Sequence, residues 1–113
     1  MRVTSLRPAV VEHTEFLWSR HVEVPTVPGC YVLAAFDMTV LYVGLASKNL
    51  AGRMGDHLED DLKRKGWAGK IPYWFYYLRL PAAGVRPLER GWLNQSILED
   101  GALPPLNRVH SPI

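Results

Sequence analysis

The sequence predicts an α+β fold: a small, three-stranded, mainly antiparallel sheet flanked by helices, in the order ββαβα. Two β-rich runs, "CYVLAAF" and "TVLYVG", lie close enough along the chain to form a hairpin. A stretch with apolar residues at every fourth position, an aromatic-rich run and a second helix-like stretch follow them. Short strands connected in this order are typical of helices packed against one antiparallel sheet.

The composition is that of one ordinary globular domain. The chain has 113 residues, of which 48% are apolar and 21% are charged. Cys30 is the only cysteine, so no disulfide can form within the chain. We find no leader-like start and no apolar run near the ~18 residues of a membrane span, and we expect a cytoplasmic protein without membrane contact. The net charge of +2 permits a local basic patch but does not argue for one.

The amino-terminal residues 1–27 are expected to form an arm that packs on a main domain of residues 28–113. The segment "AVVEHTEFLWSRHVEV" is compatible with a short amphipathic helix that ends before Pro25. The apolar face of that helix would be formed by Val10, Val11, Phe16 and Leu17.

The hairpin decides where two tyrosines lie, Tyr31 in its first strand and Tyr42 in its second. With an even loop such as Asp37–Met38, Tyr31 would lie opposite Gly44, and the two phenols would share one face as diagonal neighbours ~7–8 Å apart. Gly44 has no side chain and would leave Tyr31 uncovered on that face. An odd loop would instead send the phenols to opposite faces of the sheet.

The stretch "SKNLAGRMGDHLEDDLKRKG" predicts one helix after the hairpin. Ser47 or Asn49 can cap its start, and Gly66 can end it. Gly52 and Gly55 each weaken the helix by ~1 kcal/mol relative to alanine, which suggests that something approaches the backbone closely there. The expected buried stripe is formed by Leu50, Met54, Leu58 and Leu62.

A third strand and a second helix complete the predicted domain. The run "IPYWFYYLRL" indicates a strand buried on both faces, although its aromatic rings could also stack on nucleic-acid bases. The run "RPLERGWLNQSILEDG" indicates a helix with Pro87 near its first turn and Gly101 at its end. Leu93 and Ile97 are expected on the buried face of this helix, and Glu89 lies on the same face.

Two polar residues lie together at the edge of the buried face of the first helix. Arg53 and His57 are four residues apart, so a guanidinium that can grip phosphate oxygens lies beside an imidazole that can move a proton. The alternative is structural: Arg53 is solvated, and His57 pairs with Asp60 or Asp61.

Glu89 aligns a carboxylate with an apolar stripe, and a buried charge needs a partner. Mg²⁺ would meet that need, because it takes one or two carboxylates, several waters and substrate phosphate oxygens. The alternative is a glutamate in the first turn of a helix, stabilised by the helix dipole. In the same way, Tyr31 and Tyr42 could be core residues and Asn107 a turn residue.

Taken together, these residues resemble the GIY-YIG nuclease superfamily over residues 28–107. The first tripeptide of the family stands here as Gly29-Cys30-Tyr31, and the second as Tyr42-Val43-Gly44. The downstream matches are Arg53 for the catalytic arginine, His57 for a histidine found in many members, Glu89 for the metal-binding glutamate and Asn107 for a polar residue near the end of the domain.

The chain departs from the family's pattern at two positions. Cys30 replaces the middle isoleucine of the first tripeptide, and in the predicted register it faces away from the site. Leu45 follows the second tripeptide, where a basic or small polar residue is frequent in the family, and Lys48 could partly replace that contact. The second departure bears on substrate affinity more than on chemistry.

The resemblance implies a metal-dependent endonuclease that hydrolyses DNA phosphodiester bonds to 5′-phosphate and 3′-hydroxyl ends. It implies one Mg²⁺ or Mn²⁺ ion per site, bound by Glu89, and DNA as the partner, with a homodimer or a protein partner as a possible source of specificity. The implied catalytic residues are Tyr31, Tyr42, Arg53, His57 and Glu89, and the implied substrate contacts are Gly44, Lys48 and Asn107.

Two other interpretations stay open. A catalytically degenerate member of the superfamily would bind nucleic acid or a protein partner without cleavage. An unrelated α+β interaction domain would carry the two tripeptides merely as a hairpin. The presence of the whole implied catalytic set favours the active nuclease, because a module freed from chemistry need not keep all of it.

Overall fold

A computed structural model describes residues 1–110, and side chains for residues 1–108. The described strands are β1 (His13–Glu15), β2 (Gly29–Ala34), β3 (Val40–Ala46) and β4 (Trp74–Arg79). The α-helices are α1 (Leu50–Leu58), α2 (Asp61–Lys65), α3 (Ala82–Asp100) and α4 (Pro105–His110), and two 3-10 turns span Val3–Ser5 and Trp18–Glu23. The strands form one sheet in the order β1-β4-β2-β3, antiparallel at every pairing, so the α+β class is confirmed.

The amino-terminal arm supplies a fourth strand, where the sequence predicted three strands and an amphipathic helix. β1 pairs with β4, and the buried positions Val10, Thr14 and Phe16 all have even numbers, whereas Val11 and Leu17 are exposed. Burial with a period of two is the pattern of a strand, so the helix prediction for this segment is wrong.

The loop of the β2–β3 hairpin contains an odd number of residues, whereas an even number was expected to bring the two tyrosines together. The Ala35 N–H donates to the Thr39 carbonyl at 2.9 Å, which encloses residues 36–38. This odd number of loop residues would by itself place Tyr31 and Tyr42 on opposite faces of the sheet.

A β-bulge at Leu41 reverses the effect of the loop. On the loop side of the bulge Ala34 pairs with Val40, whereas beyond it Tyr31 pairs with Gly44. The extra residue shifts the register by one, so both tyrosines return to the same face of the sheet. The predicted pairing of Tyr31 with Gly44 is confirmed, although the loop that was expected to produce it is not the one observed.

The single helix predicted after the hairpin is divided into α1 and α2. Asn49 caps α1 as predicted, and its Oδ1 accepts from the Gly52 N–H at 3.0 Å. The break comes at Asp60, whose carboxylate accepts from the first backbone N–H groups of α2. Because α2 starts anew at Asp61, its faces are not in phase with those of α1. Leu62 is therefore 56% exposed and does not continue the predicted buried stripe. Gly66, with φ 74°, ends α2 as expected.

Helix α3 begins earlier than predicted. It starts at Ala82, directly after a proline that cannot continue the strand, so Pro87 lies inside the helix and not near its first turn. The buried face contains Trp92, whereas Ile97, predicted to be buried, is exposed. Gly101 ends α3 in the left-handed conformation, as expected. Neither α3 nor any other helix within residues 1–110 is long and apolar enough to cross a membrane.

The sheet separates two hydrophobic cores, because successive residues of a strand point to opposite faces. One core lies on the face covered by α1, and we call this the α1 face. The other lies on the face covered by α3, which we call the α3 face. The α1 face includes Tyr31, Leu33, Tyr42, Met54 and Phe75, and the α3 face includes Cys30, Val32, Val43, Tyr76 and Trp92.

Candidate active site

A buried phenol–imidazole pair lies at the centre of the α1 face. The Tyr31 hydroxyl is 2.5 Å from Nε2 of His57, which α1 presents from its last turn, and the two residues are 0% and 2% exposed. Burial raises the pKa of the Tyr31 hydroxyl. Burial, together with the positive charge of Lys63 and then of Arg53, lowers the pKa of His57 to about 3. Both groups are therefore uncharged at neutral pH, and the hydrogen bond provides a path for a proton between them.

Gly44 makes room for the Tyr31 ring. A Cβ atom at Gly44 would lie 2.5 Å from Cζ of Tyr31, far inside any normal contact. The sequence predicts that this glycine leaves Tyr31 uncovered. That prediction is wrong, because the Tyr31 ring lies over Gly44, stacks on Phe75 at a centroid distance of 5.2 Å and is completely buried. The glycine is thus required for packing, and its contact with a substrate stays a prediction.

Tyr42 lies beside the Tyr31–His57 pair, and Lys63, a residue not predicted for the site, lies over its ring. The centroid of its ring is 6.2 Å from that of Tyr31 and 5.1 Å from that of His57. Nζ of Lys63 lies 4.6 Å from the centroid of the Tyr42 ring and 3.6 Å from a carboxylate oxygen of Asp60. Lys63 belongs to a run of charged residues typical of a solvated helix face, so no sequence signal marked it as buried.

Arg53 connects the buried pair with solvent. Its side chain is partly exposed and pairs with Asp56 at 3.3 Å. Its positive charge opposes the effect of burial on Tyr31 by lowering the pKa of the hydroxyl. Arg53 also lines an open cleft of about 290 Å³ together with Lys48, so these two predicted residues share one surface. A cation next to the phenol and open to solvent can bind an anionic substrate there.

Glu89 lies on α3 but acts electrostatically on both faces of the sheet. It lies beyond the first turn of α3, so the proposed alternative of a first-turn glutamate does not apply. Burial raises the pKa of its carboxyl, whereas Arg86 and Arg90 lower it. Its negative charge adds to the effect of burial on Tyr31, and it does the same at Cys30, whose thiol has its pKa raised to about 12. Glu89 thus belongs to the helix that covers the α3 face, whereas Tyr31 lies on the α1 face, and the action of both residues on one substrate stays a prediction.

A divalent ion would have one protein carboxylate at this site. Among the side chains of residues 1–108 no group of three or more His, Cys, Asp or Glu is placed to hold a metal ion. Mg²⁺ does not require such a group, because it is commonly bound by one or two carboxylates, several waters and substrate phosphate oxygens. The half-buried Glu89 carboxylate fits that mode of binding, and the donor set does not fit an all-protein cage.

Asn107 braces β3 at the second tripeptide. Its Oδ1 accepts from the Val43 N–H at 2.9 Å, and its Nδ2 donates to the Val43 carbonyl at 2.9 Å. The side chain is buried, and both ends of its amide are used in this way. Asn107 therefore holds Val43, the residue between Tyr42 and Gly44, in place, and its contact with a substrate stays a prediction.

Comparison with known proteins assigns no family, since the chain matches no protein-family model and no curated protein. The resemblance to the GIY-YIG superfamily therefore depends on the two tripeptides and the residues matched to them. The geometry brings Tyr31, Tyr42 and His57 into one cluster with Arg53 beside it, whereas Glu89 lies on α3, the helix that covers the other face of the sheet.

Proposed function

We propose that this protein is a metal-dependent endonuclease of the GIY-YIG type that hydrolyses DNA phosphodiester bonds. The observation that carries the proposal is the buried hydrogen bond between Tyr31 and His57, next to the Arg53 guanidinium. The order of elements within residues 28–107 also supports it: hairpin, helix, strand and helix, with α2 continuing α1 after a break. The expected products are a 5′-phosphate and a 3′-hydroxyl.

Tyr31 and His57 would handle the proton of the attacking water. The phenol accepts a proton from the water while it passes its own proton to Nε2 of His57 along the existing hydrogen bond. Neither group has to ionise beforehand, which matters because burial disfavours both charged forms. A bound phosphate assists the step, since its negative charge raises the pKa of a neighbouring histidine. Tyr42, packed against His57, keeps the imidazole in place.

Arg53 and Lys48 would bind the phosphate in the cleft that both residues line. A guanidinium can grip two phosphate oxygens at once, and it stabilises the charge that gathers on them in the transition state. Asp56, the present partner of Arg53, would be displaced by the stronger anion. Lys48 contributes a point charge that favours binding more than chemistry.

Glu89 would hold one Mg²⁺ or Mn²⁺ ion through its carboxylate. When bound, such an ion polarises the phosphate and stabilises the leaving oxygen. The raised pKa of Glu89 follows from its burial, and the positive charges of Arg86 and Arg90 oppose that shift and favour the ionised carboxylate.

The test is plasmid nicking in Mg²⁺ or Mn²⁺, with the wild type compared with Arg53→Ala and Glu89→Gln. We expect both variants to lose about 10²- to 10³-fold in rate, the size of effect seen when one stabilising group is removed from a transition state. Glu99→Gln, an exposed carboxylate on the same helix, is the matched control and keeps the wild-type rate. Wild-type circular dichroism spectra confirm that the variants fold. A Glu89→Gln variant that cuts normally would remove Glu89 as the metal ligand.

A second function, binding of nucleic acid without cleavage, is favoured by the burial of the central pair. Tyr31 and His57 are 0% and 2% exposed, so a phosphate reaches the Tyr31 hydroxyl only if neighbouring groups move. A wild type that binds DNA in a salt-dependent way, yet nicks no plasmid with either metal, would assign this function to the chain.

A further inference from the structure

A cluster of aromatic rings is exposed at the loop end of the β2–β3 hairpin. Phe36 is 71% exposed, and its ring contacts Tyr73 edge to face at 5.0 Å and lies nearly parallel to Trp74 at 6.4 Å. Ile71 beside them is also exposed. We call these four residues the aromatic surface. They take no part in the proposed active site.

The aromatic surface borders two neighbouring clefts. One cleft of about 340 Å³ is lined by Phe36, Ile71 and Tyr73, with Lys70 and Asp37 as its charged residues. A second cleft of about 210 Å³ shares Ile71 and Tyr73 with the first and has Glu15 and Arg64 as its charged residues. Because the clefts share two lining residues, they lie side by side, and their linings together extend from Phe36 to Arg64. An extended chain suits this shape better than a compact ligand does.

The loop that carries Phe36 is held from two sides. Trp74 donates its Nε1–H to the Phe36 carbonyl at 3.4 Å, and Lys70 binds the Asp37 carboxylate and the Thr39 hydroxyl, the latter at 3.2 Å. The loop also contains a non-glycine residue, Met38, at φ 74°. Strained backbone of this kind persists only where the surrounding structure fixes it. An exposed ring on a fixed backbone loses little freedom when it binds a partner.

Charged residues of both signs line the two clefts, and most of them are paired. Asp37 pairs with Lys70, and Glu15 lies 3.6 Å from Arg20, which pairs more closely with Glu23 at 2.8 Å. Arg64, in contrast, forms no ion pair with the residues that the structure describes. A groove with ring faces along it and an uncompensated cation at its end complements a chain with flat apolar groups and a negative backbone.

We propose that the aromatic surface binds single-stranded nucleic acid. Bases would stack on Phe36 and Tyr73, and a backbone phosphate would lie near Arg64. Stacking on aromatic rings tolerates any base, so the expected binding is independent of sequence and weakens as salt is added. The proposal stands whether or not the chain cleaves DNA, because none of these residues belongs to the proposed active site.

The test is the fluorescence anisotropy of a fluorescein-labelled oligothymidylate of about twelve nucleotides, measured in EDTA so that no metal-dependent cleavage occurs. We expect Phe36→Ala to raise the Kd about tenfold, the loss of one stacked base. Leu98→Ala, which trims an 87% exposed residue on α3, is the matched control and leaves the Kd unchanged. Arg64→Gln lowers the slope of log K against log salt by about 0.7, one phosphate contact.

Several results would overturn the proposal. They are the absence of oligothymidylate binding by the wild type, equal Kd values for the wild type and Phe36→Ala, and a blunt duplex of the same length that binds as tightly as the single strand. Self-association of the wild type that Phe36→Ala abolishes, seen in sedimentation without any effect on the oligonucleotide, would instead assign the surface to a second copy of the chain. Plasmid nicking is measured separately, so failure here is distinguishable from failure of the proposed function.

Discussion

The α1 face and the α3 face are built from alternate residues of the same strands, yet they bury different chemistry. On the α3 face, Val32, Val43 and Trp92 pack as hydrocarbon and indole, and the Cys30 thiol donates a weak hydrogen bond to the Val85 carbonyl. On the α1 face, a phenol, an imidazole and an ammonium group are buried among the apolar side chains. These polar groups are Tyr31, His57 and Lys63.

The difference suggests that packing alone does not explain the residues of the α1 face. Aliphatic and aromatic packing dominates the α3 face, where the Cys30 thiol and the Trp92 Nε1–H each donate to a backbone carbonyl and no ionisable side chain among the described residues pairs with another. The α1 face could be packed in the same way. Buried polar groups instead lose their hydration and must be bonded to one another to be tolerated. Within residues 1–108 no buried side-chain nitrogen or oxygen lacks a partner, so the α1 cluster is complete as it stands. We infer that it is kept for a use other than stability.

The largest effect should come from removing the phenolic oxygen alone. Tyr31→Phe keeps the ring that packs on Phe75, and we expect the nicking rate to fall about 10²- to 10⁴-fold, the usual contribution of a positioned proton-transfer group. Cys30→Ala, one residue away and on the α3 face, keeps the wild-type rate. Equal losses in the two variants would erase the distinction between the faces.

The next effect tests whether the α3 face carries stability. Trp92 is completely buried, so we expect Trp92→Ala to lower the free energy of unfolding by about 3–5 kcal/mol, measured by urea denaturation. At temperatures where the variant is folded, its nicking rate per folded molecule should stay at the wild-type value. A loss below about 1 kcal/mol would show that the face repacks freely.

A smaller loss of stability is expected from Asn107→Ala. The substitution removes both hydrogen bonds to Val43 and leaves a buried backbone N–H and carbonyl unpaired, which costs about 1–3 kcal/mol. Asn94→Ala, an exposed asparagine on α3, serves as the control and should change stability little. Urea denaturation of the three proteins decides the matter, and an Asn107→Ala variant as stable as the control would contradict the bracing role.

The smallest effect, per unit of pH, concerns the protonation of His57. The unfolded chain binds a proton at this histidine below pH ~6.5, whereas burial lowers the pKa of the folded residue to about 3. Between pH ~3 and pH ~6.5 the unfolded state therefore holds one proton more than the folded state. The free energy of unfolding rises with pH in this range by up to about 1.4 kcal/mol per pH unit.

Urea titrations between pH 4 and pH 6 measure that slope. His57→Gln should flatten it, and His13→Gln, which changes an exposed histidine, should leave it as it is. An unchanged slope in His57→Gln would mean that other groups govern the response to acid.

The shared face of Tyr31 and Tyr42 could be predicted from the sequence by two local rules. Alternation along a strand and the lack of a side chain at Gly44 place Tyr31 and Tyr42 on one face once the register is known. The register itself could not be derived, since it depends on an odd loop corrected by the extra residue Leu41. Only contacts beyond the hairpin decide where such a residue is inserted.

Other misses have a similar origin in long-range contacts. Lys63 looks like part of a solvated charge run, and only the cap at Asp60 and the packing of α2 turn it inward. The arm around Thr14 has weak local preferences, and it becomes a strand because β4 offers an unpaired edge. Local propensity does not determine such segments, because tertiary pairing overrides it.

The bracing amide of Asn107 has a consequence for how the molecule behaves at high concentration. β3 ends the sheet on one side, and an outermost strand normally offers its free backbone groups to strands of other molecules, a common route to aggregation. The Asn107 side chain bonds to both the N–H and the carbonyl of Val43, as a neighbouring strand would, so these two groups of the edge strand are not free. The residue that steadies the second tripeptide thus also removes two backbone groups that a strand of another molecule could otherwise bind.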